Sequence, residues 1–140
     1  MASFNKFNAF VADLANGVHN FSSSTFKVML TNTAPAATNA VKTDITEIAA
    51  GAGYTAGGAT LTFVSSSQTS GTYKYIASAA NPTWTSSGSF ANFRYVVIYD
   101  STAASGNLVG WWDFGSTVTL ASGNTFTVQL DGTNGVLQLS

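Results

Sequence analysis

From Phe93 to Gly115 the chain runs through a dense apolar strand, a small-residue turn and a second strand carrying two adjacent tryptophans. Side chains alternate along a strand, so Phe93, Tyr95, Val97 and Tyr99 fall on one face while Arg94, Val96, Ile98 and Asp100 fall on the other. Both faces are largely apolar. A hairpin of this kind needs cover on both sides: one face builds the core, and the other meets a second layer or a neighbouring subunit. The adjacent Trp111 and Trp112 must point to opposite sides of the same sheet and so separate the two surfaces.

The rest of the chain repeats the strand signal in shorter pieces. Thr25 to Thr31 reads as a strand with Phe26, Val28 and Leu30 inward and Lys27 outward, followed by a polar loop from Asn32 to Asn39 around Pro35. Asp44 to Ala50 fits either a short strand or one helical turn. Ala59 to Val64 reads as a strand, and the spacing of Leu61 and Phe63 against Tyr73 and Tyr75 predicts a hairpin with Ser65 to Gly71 between its strands. Pro82 limits how far Trp84 can belong to a central strand. Val118 and Leu120, then Phe126, Val128 and Leu130, alternate between turns, and Val136 to Leu139 closes the chain as a final strand. Short strands separated by turns predict an all-β protein, an antiparallel β-sandwich or jelly-roll-like domain.

One segment departs from this pattern. Phe4, Phe7, Val11, Leu14 and Val18 recur at helical spacing, with Ser3 as a candidate N-cap and Gly17 as a candidate stop, so residues 1–20 are expected to form a short N-terminal helical segment. Its Phe face would pack over one end of the sheet or dock onto a partner. At 140 residues the chain suits a single domain spanning 1–140.

Composition narrows the classes of function. Only 8% of residues are charged, while 45% are hydrophobic and 13% aromatic, which argues against disorder. Five basic and six acidic residues give a net charge of −1, leaving no long-range field to draw in nucleic acid or an anionic membrane. So little charge also does little to keep copies apart, as suits a protein that lives in an assembly. Without Cys there is no disulfide and no thiolate metal site. No run approaches the ~20 apolar residues of a membrane helix. The N-terminus, with one lysine and a run interrupted by Asn8 and Asp13, is a poor match to a secretory signal, so cytoplasmic synthesis is expected.

The motifs that could carry chemistry each have a simpler structural reading. His19 is the sole histidine and no GxSxG elbow is present, so we read it as a solvated or capping residue rather than a triad member. Asp44 and Glu47 could mimic a paired-carboxylate site, but Thr43 and Asp44 are both good cap types and a capped turn is preferred. The run GAGYTAGG at 51–58 lacks the following helix and lysine of a phosphate loop. Asp131 to Gly135 lacks the alternating oxygen ligands of a calcium loop and reads as a turn. No catalytic, cofactor or metal residue is therefore assigned, and a non-enzymatic protein is expected.

The tryptophans pose the binding question. Burying an indole of ~150–250 Å² at ~25 cal/mol per Å² contributes roughly 4–6 kcal/mol gross, so core packing is the default. At most one of Trp111 and Trp112 belongs to the main core; the other fills a second layer, the helix interface or a subunit contact. A sugar-stacking platform is the minority reading.

Three longer words stand in one order along the chain: FKVMLTNTAP at 26–35, DITEIAAGAGYTAGG at 44–58 and GWWDFG at 110–115, with SGTYK and TWT between them. They resemble a widespread group of small proteins encoded in tailed-bacteriophage genomes, and the likeness covers nearly the whole chain. The resemblance implies a virion structural protein and carries no catalytic motif with it. Within that class, size, β content and weak charge fit a capsid decoration or cement protein, made in the host cytoplasm and placed on the capsid surface. Its expected partners are the major capsid protein or other virion proteins and further copies of itself, a trimer being one form; neither nucleic acid nor membrane is expected as a partner. Candidate assembly contacts are Phe4, Phe7, Tyr54, Trp111 and Trp112. The rival readings are a tail, adaptor or fibre component and a glycan- or receptor-binding module.

Overall fold

A computed structural model describes residues 2, 4–77 and 81–140. The central hairpin forms as its sequence requires: β7 (Phe93–Asp100) pairs antiparallel with β8 (Leu108–Val118). The other flank of β7 pairs with β2 (Phe26–Thr31), and β2 with the short β3 (Ala59–Thr60). On the far side β8 is edged by β1 (Phe4–Lys6), giving a five-stranded antiparallel sheet in the order β1-β8-β7-β2-β3.

Two smaller antiparallel sheets complete the architecture. One has the order β10-β5-β4, from β4 (Ser65–Thr69), β5 (Thr72–Ile76) and β10 (Leu137–Leu139). The other pairs β6 (Thr83–Thr85) with β9 (Thr125–Thr127). Phe26, Val28, Leu30, Val96 and Ile98 from one face of the large sheet bury against Tyr75, Trp84 and Leu137 from the smaller ones and Val136 just before β10. Antiparallel sheets packed face to face, with a short N-terminal helix and no closed barrel, are what the strand spacing predicts.

The opposite face of the large sheet is covered by the chain itself. Met29, Val97, Tyr99 and Leu108 form a second buried cluster with Phe7 and with Ile45, which follows a 3-10 turn at Lys42–Asp44. Asp44 closes that turn by accepting the Ala40 and Val41 N–H groups at 2.8 and 3.1 Å, the capped turn expected of this segment.

Several elements differ from their sequence expectation for physical reasons. Phe4 lies in β1, and only α1 (Asn8–Ala15) is helical, with Phe7 at its N-cap; Ser3 lies outside the described residues. Pairing with the edge of β8 overrides the helical spacing, and Val11 of the expected stripe is 52% exposed while Phe10 carries the burial. The predicted Leu61/Phe63 strand stops at Thr60, and the partner of β5 is the polar Ser65–Thr69 run instead. Positive φ at Ser70 and Gly71 makes the two-residue turn that joins β4 to β5 and sets their register. Val128 and Leu130 likewise fall beyond β9. Along β7, irregular pairing between Phe93 and Tyr95 moves Phe93 to the face of Val96 and Ile98, away from Val97 and Tyr99.

Candidate assembly surface

Trp111 and Trp112 take opposite sides of the large sheet, and each is clasped by a phenylalanine from the N-terminal segment. Phe7 packs on Trp111 with ring centroids 4.5 Å apart, and Phe4 packs on Trp112 at 5.2 Å. Both indoles keep part of their surface open. The close fit at this edge depends on Gly110, where a Cβ would overlap the Phe4 ring and the Asn5 carbonyl oxygen.

Beyond Trp112, β8 runs on past the end of β1 and carries Phe114, which is 56% exposed. Phe4, Trp112, Phe114 and Phe126 line an apolar groove of about 550 Å³, continued by Val128, Leu130 and Val136. Phe114 meets Phe126 edge-on at 5.9 Å. Between Trp112 and Phe114 on the strand, and so on its other face, Asp113 forms a two-pronged ion pair with Arg94 at 2.7 and 2.9 Å. That pair holds the Asp113 carboxyl below the usual carboxylate range, helped by the Gly115 N–H.

The five residues expected at contacts thus separate. Phe4, Trp111 and Trp112 stand at the open edge, Phe4 and Trp112 together in the groove. Phe7 is 0% exposed and Tyr54 only 3%, so their side chains serve the core of this chain rather than its surface. Phe114 was missed by the sequence reading although its signal was there: two residues after Trp112 on one strand, it shares the same face.

Tyr54 instead organises the glycine-rich segment. Its hydroxyl accepts the Leu30 N–H at 3.1 Å and donates to Glu47 at 2.7 Å, while the same Glu47 oxygen accepts the Gly57 N–H. Lys42 pairs with the other Glu47 oxygen at 3.2 Å. Burial holds the Tyr54 hydroxyl well above the ordinary phenol range, against the opposing pull of the Leu30 N–H. Gly58, at φ +72°, brings the loop so close to β2 that a Cβ would overlap the Val28 carbonyl. Gly53 makes the same kind of approach to β6, where a Cβ would overlap the Thr85 carbonyl. Asp44 and Glu47 point their carboxyls to different partners, so they do not form a carboxylate pair around a cleft.

His19 is buried, contrary to the solvated reading. Its ring lies beside Phe10 and Phe26, and Nδ1 stands 3.2 Å from Asp100 Oδ2. Nε2 has no hydrogen-bond partner among the described residues, so no hydroxyl completes a triad there. Among the described residues no group of three or more His, Cys, Asp or Glu is placed to hold a metal ion, and no helix is long and apolar enough to cross a membrane.

Comparison of the chain with family models, with curated proteins and with solved structures finds no match.

Proposed function

We propose that this chain is a virion structural protein, a capsid decoration or cement protein that stabilises an assembled shell by burying apolar surface against the major capsid protein and against further copies of itself. The observation that carries this reading is the aromatic groove of Phe4, Trp112, Phe114 and Phe126 on a chain that has only eleven charged residues of either sign. An exposed apolar concavity marks an interaction site more often than chance surface composition does. A ligand that binds the assembled shell and not its free subunits stabilises the shell by linkage. The resemblance of three sequence words to small tailed-phage proteins supports the same class. A symmetric homo-oligomer, a trimer among its forms, would repeat the contact at each copy on the capsid surface.

The test is quantitative mass spectrometry of intact particles from a phage encoding this chain, with and without Phe114→Ser. Decoration predicts a copy number comparable to that of the major shell protein and at least a roughly tenfold loss of occupancy in the variant, since hot-spot aromatics dominate interface energies. A few copies per particle would instead support a tail, adaptor or fibre role. The aromatic lining also favours a second reading, a glycan-binding module, for which saturable carbohydrate binding by the isolated protein is the sign.

A further inference from the structure

A buried cluster at the end of β7 has no part in the assembly surface. His19 stands between two carboxylates on two different elements: Asp100, the last residue of β7, at 3.2 Å from Nδ1, and Asp13, in α1, at 3.9 Å from Nε2. The His19 and Asp100 side chains are fully buried, and Asp13 is 18% exposed. Asp100 is also tied to the turn that follows it, accepting the Thr102 and Ala103 N–H groups. Asp13 accepts the Asn107 side-chain amide at 2.9 Å.

Because a carboxylate only accepts, the proton on a neutral His19 belongs on Nδ1, facing Asp100. Nε2 then presents a lone pair toward an Asp13 oxygen that also only accepts. A second proton converts that opposition into attraction, since both ring nitrogens of an imidazolium donate. The geometry points to a proton-operated latch: protonation of His19 joins Asp13 of the N-terminal helix to Asp100 of the central strand and holds that helix on the sheet. The cations on the neighbouring strands lie on their other faces: Lys27 of β2 stands near Gly57 and Lys74 of β5 acts on Asp131. The helix and β2 contribute the Phe10 and Phe26 rings, and β5 contributes Tyr73, which lines the adjoining groove, and Tyr75. Burial pushes the Tyr75 hydroxyl up to about 12, so it stays neutral throughout. Lys42 and Arg94 are engaged with Glu47 and Asp113. Closing the latch secures Phe10, which is buried against Phe21.

His19 is the only histidine, so one imidazole signal in the NMR spectrum of the full chain reports the proton directly. Asp13→Asn keeps a side-chain oxygen for Asn107 but removes the second charge. The latch predicts that the midpoint of the imidazole transition falls by about 0.5 pH or more in this variant, as loss of a close opposite charge requires. It also predicts that amide exchange in Asn8–Ala15 of the wild type, corrected for intrinsic rates, slows by at least about threefold as His19 takes up its proton. Equal midpoints in the two proteins would overturn the latch. So would helix protection in the wild type that does not follow the imidazole transition, a readout that stands even if the variant fails to fold.

Discussion

Tyr54 shows how one hydroxyl can anchor a loop of small residues. It accepts the Leu30 N–H from β2 and donates a hydrogen bond to Glu47, which also holds Gly57 and Lys42. Tyr54→Phe keeps the ring and strands the buried Leu30 N–H, so a loss of about 1–3 kcal/mol is expected in denaturant unfolding. The same residue sets an alkaline limit. Its proton is held more tightly in the folded state than the unfolded one, so its contribution is complete below about pH 10 and is lost as pH rises above that value. Unfolding midpoints taken from pH 9 to 11 should therefore fall less steeply in Tyr54→Phe than in the wild type, while Tyr75 and Tyr99, whose hydroxyls are also raised by burial, keep a residual slope in both. None of this network was legible in GAGYTAGG itself. The sequence showed glycine and a tyrosine; Tyr54 and Gly58 meet β2, more than twenty residues earlier along the chain, and Gly53 meets Thr85 in β6, well after it.

At the scale of elements, β1 is three residues long and is held by its fit to β8. Gly110→Val would drive a side chain into the Phe4 ring and the Asn5 carbonyl, so β1 is expected to detach while β2, β7 and the rest of β8 stay paired. Overpacking of this kind costs about 1–3 kcal/mol. The measurement is limited proteolysis together with tryptophan emission: cleavage should appear within the first residues, and the spectrum should shift to the red as Trp112 loses its cover. Cleavage confined to other loops would show that β1 adapts instead. Elements of this size are also where sequence reading fails. β2 and β7 were legible because burial on both faces makes each a dense apolar run. β4 was not, since all five of its residues are exposed and carry no alternation; the Ser70-Gly71 turn and β5 place it. Phe4 and Phe7 have helical spacing, and only the tertiary partner at β8 decides that they enclose a sheet edge from opposite sides.

For the whole molecule, the governing quantity is scarcity of charge. With a net charge of −1 and an apolar groove on its surface, the proposed attachment to a shell should be driven by buried area rather than by ion pairs. Raising NaCl from 0.1 to 0.5 M, which shortens the screening length to a few ångströms, should leave occupancy on purified particles unchanged within about twofold. Release of the protein over that range would mean that charged contacts elsewhere carry the attachment. The all-β architecture could be read from the chain, and so could the division of labour between Trp111 and Trp112. Which aromatic residues remain open could not, because exposure of Phe114 depends on β8 outrunning β1, a difference in strand length that no local pattern encodes.

The clasp at the sheet edge also imposes an order of events on synthesis. Phe4 finds its partner in Trp112 and His19 finds Asp100, so this segment takes its final place only after the hairpin, made much later than it, has emerged. Until then Phe4 and Phe7 lack the Trp112 and Trp111 rings that cover them.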